Sequence, residues 1–121
     1  MANLIQRLVI FSKAPHGSAA GREGLDLLLL SASYDMPSAA LFVGDGVYQL
    51  LANQQPELVG GKNYIATFRA LPMYDVEQIL ICQDSLAQRG LTREQLILDV
   101  ELCTPSQIAD VIGQSTEVLR F

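Results

Sequence analysis

Val76-Glu77-Gln78-Ile79-Leu80-Ile81-Cys82-Gln83-Asp84-Ser85-Leu86-Ala87-Gln88-Arg89-Gly90 passes from an apolar, β-like run through a thiol into a short helical segment. Within the segment Val76 to Ile81, Ile79-Leu80-Ile81 are apolar at consecutive positions rather than alternate ones, which marks a strand buried on both faces, as in a parallel sheet. Ser85 to Gln88 reads as the helix, with Gly90 as its C-cap. In open α/β sheets, ligands and reactive groups gather at the carboxyl ends of the strands. A helix N-terminus also favours thiolate over thiol. Cys82 is therefore the candidate functional residue. Local chemistry limits its activation. A free thiol of pKa ~8.5 is only about 3% ionised at pH 7, and a helix N-terminus contributes only ~0.3–1 kcal/mol. Asp84 adds an opposing negative charge, and no Lys or Arg stands beside Cys82 unless the fold brings Arg89 back. The plain alternative for Cys82 is a small buried hydrophobe.

The same strand-then-helix grammar extends in both directions. Leu4 to Ser12 reads as a first strand, with Pro15, His16 and Gly17 as a turn and Ser18 as N-cap of a helix from Ala19 to about Tyr34. Ala39 to Val43 is a second strand, followed by the turn Gly44-Asp45-Gly46 and a short helix or turn at Val47 to Leu51. Asn53 to Gly61 is a polar loop. Asn63 to Leu71 reads as a helix that Pro72 stops. Beyond Gly90, Thr92 to Gln95 gives one helical turn, and Leu96 to Leu102 a strand over part of its length. Thr104 or Ser106 caps a helix to Ile112, with Pro105 at a permitted first-turn position and Gly113 as its end. Thr116 to Phe121 is the last strand. These units predict an α/β fold: a three-layer sandwich with a mainly parallel five-stranded sheet and helices on both faces.

The 121 residues suit a single domain spanning 1–121. Half the residues are hydrophobic and only 17% are charged, with a mean hydropathy of +0.25. A small chain with so little charge is expected to hide apolar surface in a partner, so a stable oligomer is expected. The net charge of −5, with eight Lys and Arg in no cluster, argues against direct nucleic-acid binding. The start Met1-Ala2-Asn3 lacks the basic region of a secretory signal. The densest apolar run, Leu25 to Leu30, is broken by Asp26 and falls short of the ~20 residues of a membrane span. In a chain that is not secreted, Cys82 and Cys103 are expected to be free thiols. They and His16 lack zinc-site spacing.

Three other segments invite chemistry. The stretch from Ala14 to Gly24 follows a strand and opens a helix, the place of a phosphate-cradling loop, but its glycines at 17, 21 and 24 fit neither nucleotide fingerprint. Gly21 and Gly24 are expected to let the helix pack closely. His16, the only histidine, could serve as a base or as a surface or capping residue. Asp45, between two glycines, reads as a turn-former, with the alternative that it lines a cleft. Cys103 shares the strand-end logic of Cys82 and is expected to be structural.

Read in order, Ser12 to Asp26 (SKAPHGSAAGREGLD), Gly44 to Leu51 (GDGVYQLL), Tyr64 to Leu71 (YIATFRAL) with Met73 to Gln78, Ile81 to Leu91 (ICQDSLAQRGL) and Val118 to Phe121 (VLRF) resemble the TusC/DsrF group of the DsrE/DsrF/DsrH-type sulfur-relay proteins. The resemblance runs nearly end to end. It implies a parallel α/β fold and a cytoplasmic assembly with TusB-like and TusD-like subunits, a dimer of heterotrimers. Such assemblies pass persulfide sulfur from a TusA-like donor to a TusE-like acceptor for 2-thiolation of tRNA wobble uridine, or, in the DsrF-type setting, serve sulfur oxidation. No cofactor or metal is implied. The relay cysteine best supported in that group lies in the TusD/DsrE-type subunit, in a context that Cys82 to Gly90 matches. The resemblance thus implies a structural or auxiliary role for this chain, which could also form homo-oligomers alone. Its alternative is a direct persulfide carrier acting through Cys82.

Overall fold

A computed structural model describes residues 5–14, 20–51, 64–76 and 78–121, with only the backbone path given for 64–67. Five strands, β1 (Ile5–Phe11), β2 (Ser38–Phe42), β3 (Gln78–Cys82), β4 (Glu101–Cys103) and β5 (Ser115–Arg120), form one sheet in the order β4-β3-β2-β1-β5. Every neighbouring pair is parallel. Helices α1 (Ala20–Ser33), α2 (Gln83–Gln88) and α3 (Pro105–Gln114) connect them, with 3₁₀ segments at Gly44–Leu50, Tyr64–Tyr74 and Arg93–Gln95.

The strand side chains sort by parity into two cores, as the two-residue pleat requires. Val9, Phe11, Ala40, Phe42, Ile79 and Ile81 point to one face and meet Leu25 and Leu28 of α1, Leu86 of α2, and Phe68. Leu8, Ile10, Ala39, Leu41, Leu80 and Cys103 point to the other, where Ile108 and Val111 of α3 cover them. Placing α1 and α3 on opposite faces follows from right-handed crossovers: the chain steps outward from β1 to β4, then returns across the sheet to β5. The three-layer parallel arrangement expected from the sequence is the one observed.

Phe11 and Phe42, the last residues of β1 and β2 and register partners, stack at 4.7 Å between centroids. Phe68 meets both edge-on at 5.3 and 5.6 Å. All three are fully buried. They form an aromatic floor under the carboxyl edge of the sheet, in the offset and edge-to-face arrangements that ring quadrupoles favour.

α1 contains no β-branched residue, so no side chain loses χ1 freedom against its preceding turn. Its close approach rests on glycines as expected. A Cβ on Gly24 would lie 2.7 Å from Phe11 Cε1 of β1, and one on Gly21 2.1 Å from the Gln49 amide. α3 begins with a reciprocal box: Thr104 N–H donates to Gln107 Oε1 at 2.8 Å, and Gln107 N–H to Thr104 Oγ1 at 3.3 Å. Thr104, rather than Ser106, is the cap.

Several boundaries differ from the sequence reading. α2 starts at Gln83, two residues early, because Cys82 itself is the cap. Pro72 lies inside the Tyr64–Tyr74 segment; the turn ends instead at Asp75, with φ of 66° and its N–H bonded to Pro72 O. α3 continues through Gly113, and a Cβ there would meet nothing. Of Leu96 to Leu102 only the end joins the sheet, because Leu96 bridges Leu51 and Ile97 N–H bonds Leu50 O. The turn at Pro15 to Gly17, the Ser18 cap and the loop Asn53 to Gly61 lie outside the described residues.

Candidate functional site

The carboxyl edge of the sheet brings together the residues after β1, β2, β3 and β4, and hydrogen bonds tie the β2 loop to the end of β1 and to α2. Val43 N–H, just after β2, bonds Phe11 O at the end of β1. Ser85, in the first turn of α2, then links the β2 loop to the thiol. Its hydroxyl accepts the Gly44 N–H at 2.9 Å, and its own N–H donates to Cys82 Sγ at 3.4 Å. A Ser-type cap would normally supply an oxygen at this position; here sulfur takes its place. Cys82 is half-buried.

The fold does bring Arg89 back toward the first turn of α2, but it commits the guanidinium elsewhere. Nη1 donates to Ser85 O at 3.1 Å, while Nε and Nη2 donate to Asp45 Oδ1 at 3.2 and 2.9 Å. Asp45 thus clamps the β2 loop to the end of α2 and does not stand in a carboxylate pair. Asp45 is largely exposed, and such pairs contribute ~0–1 kcal/mol. Arg89 positions the loop, with its guanidinium committed to Asp45 and the Ser85 carbonyl rather than to the thiol. Gly90 closes α2 at φ of 65°, the left-handed turn a C-terminal glycine supplies.

Cys103 is the residue that sequence reasoning placed outside the site. It is the register partner of Cys82 on the adjacent strand, and both are free thiols. Burial, first, then the Glu101 carboxylate and the nearby charge of Cys82 push the Cys103 thiol above its ordinary value. Its Sγ lies 3.8 Å from Glu101 O, which can accept the thiol hydrogen. The two cysteines also flank a particular point of the topology. After β3 the chain turns to the α1 face, where Leu86 packs; after β4 it turns to the α3 face, where Ile108 packs. Neighbouring strands whose connections leave in opposite directions open the crevice in which α/β sheets hold ligands.

His16 lies outside the described residues. Among the described residues no cluster of metal-ligating side chains occurs, and no helix is long and apolar enough to cross a membrane. A surface hollow lined by Gln78, Leu80, Arg93, Asp99 and Glu101 opens toward the amino ends of β3 and β4, the end away from Cys82.

Fold and site define a class: a parallel α/β protein that carries a half-buried thiol at the carboxyl edge of its sheet. Within that class the chain belongs to the DsrE/DsrF-like family, whose model matches residues 7–121. It is 41% identical over 116 residues to a "Protein TusC homolog" of Vibrio parahaemolyticus, covering 96% of this chain and 98% of that one. A protein of the same name from Aliivibrio fischeri is 38% identical, over 93% of this chain and 95% of that one. Among solved structures, the ychN protein from E. coli superimposes with a TM-score of 0.80 at 25% identity, covering 96% of this chain and 99% of that one. A protein of unknown function from Methanobacterium thermoautotrophicum shares the fold, with a TM-score of 0.60 at 14% identity and the same coverage.

Proposed function

We propose that this chain is a subunit of a cytoplasmic sulfur-relay assembly, and that Cys82 holds the sulfur in transit as a persulfide. The observation that carries this reading is the position of Cys82: half-buried, at the carboxyl end of β3, its sulfur accepting the Ser85 N–H in the first turn of α2. The chemistry suits such a sulfur. The thiolate attacks the sulfane sulfur of a donor persulfide, the donor thiolate leaves, and the terminal sulfur passes to the thiolate of an acceptor by a second exchange. The Ser85 N–H steadies the thiolate each time it forms. Membership of the DsrE/DsrF-like family and the name TusC homolog of its relatives support the relay setting. TusB-like and TusD-like chains are then its partners in the assembly, with a TusA-like donor and a TusE-like acceptor. The sulfur's destination is the 2-thio group of wobble uridine in tRNA.

A second reading has its own observation. Leu30 and Tyr34 at the end of α1, and Met73 and Tyr74, expose large apolar side chains, Met73 at 85% and Tyr34 at 75%. Such surface suits contact with other subunits, so the chain would organise a sulfur-carrying neighbour rather than carry sulfur. One experiment separates the two. In the assembly reconstituted with donor and acceptor, Cys82→Ser abolishes sulfur transfer through this chain if Cys82 is a carrier. Full transfer with Cys82→Ser leaves only the organising role.

A further inference from the structure

Resting on the reading of Cys82 as a persulfide carrier, we propose that Cys103 is its resolving thiol: it attacks a loaded Cys82 and expels uncollected sulfur as hydrogen sulfide. The placement is what carries this. Cys82 and Cys103 are register partners on adjacent parallel strands. Cys103 lies in the core on the Leu80 face, and the two-residue pleat puts the Cys82 position, two residues after Leu80, on that same side. Adjacent strands lie ~4.8 Å apart, within the ~4.4–6.8 Å between Cα atoms that a disulfide spans. Both are the last residues of their strands, where the backbone is freer to adjust than in the middle of a ladder. The attack is internal, so the burial of Cys103 does not hinder it.

The step balances without an outside oxidant. Cys103 gives up its proton, and its sulfur attacks Cys82 Sγ. A Cys82–Cys103 S–S bond forms as the bond from Cys82 Sγ to the terminal sulfur breaks. The terminal sulfur leaves with that electron pair, takes up the proton and departs as hydrogen sulfide. The persulfide is the oxidant: its terminal sulfur is reduced to sulfide while the Cys103 thiol is oxidised to the disulfide. A dithiol reductant of the thioredoxin class returns the pair to thiols. Cys103 is buried, with a carbonyl oxygen in place for its hydrogen, which keeps it mostly protonated. The discharge is therefore slow against transfer to a docked acceptor, and it clears only a persulfide left waiting.

The test uses the reduced full chain under anaerobic conditions. It is treated with inorganic polysulfide, desalted at once, and followed by intact mass, sulfide release and peptide mapping. The wild type is expected to gain one sulfur atom at Cys82. It then loses that sulfur with release of one equivalent of sulfide, as peptides containing Cys82 and Cys103 become joined. Cys103→Ser, and Cys103→Ala as a second variant, should keep the added sulfur longer by on the order of tenfold. Equal lifetimes in wild type and variants, or sulfide release without the joined peptides, overturn the resolving role while leaving the carrier role standing. Failure of Cys82 to gain sulfur in wild type and variants alike overturns the carrier reading and this inference with it.

Discussion

Serine in place of Cys82 retains an atom that can accept the Ser85 N–H, so the cap on α2 survives while the sulfur chemistry is lost. Cys82→Ser is therefore expected to unfold at nearly the wild-type urea midpoint, within about 0.5 kcal/mol, yet to take up no sulfur. Loss of stability by several kcal/mol would mean that the thiol packs rather than reacts. At Cys103 the expectation concerns pH. Its pKa is raised on folding, so above the ordinary thiol value the unfolded chain gives up this proton first. The stabilisation is complete below that pH and is lost as pH rises through the folded value. Urea midpoints between pH 8 and 10 should therefore fall more steeply for the wild type than for Cys103→Ala. The sequence makes Cys82 legible because an apolar run ends on it; it hides the Cys103 partnership, because register between strands is set by the whole sheet and by no local signal.

Elements were legible where one force dominated. β1 to β3 stand out as consecutive apolar residues because both of their faces are covered, and the C-terminal end of α1 follows from its Leu and Ala content giving way to Asp35 and Pro37. Boundaries governed by tertiary contacts were not. A cysteine cap is outside the usual set, and Leu96 and Ile97 leave the β4 pattern to pair with Leu50 and Leu51. The tight seat of α1 carries its own test. Gly24→Ala would place a Cβ 2.7 Å from Phe11 and 3.1 Å from Phe121, so it should cost about 1–3 kcal/mol by overpacking. A neutral result in urea unfolding would mean that α1 can lift from β1. Thr104→Ala should cost about 1 kcal/mol by removing one arm of the α3 capping box.

For the molecule as a whole, the fold leaves its chemistry at one edge and its bare apolar side chains elsewhere. Leu30, Tyr34, Met73 and Tyr74 remain exposed, and few charges offset them. Tyr34→Lys with Met73→Lys should leave stability within about 1 kcal/mol while weakening association, read by sedimentation of the chain alone and with its partners; unchanged association would place the contacts elsewhere. The central claim is that sulfur passes through Cys82, and the most direct measurement is the mass of this chain while the assembly turns over labelled persulfide donor. The expected result is one added labelled sulfur on the peptide containing Cys82, which disappears when the acceptor is supplied. Label found only on other subunits, with Cys82 unmodified throughout, would contradict the claim.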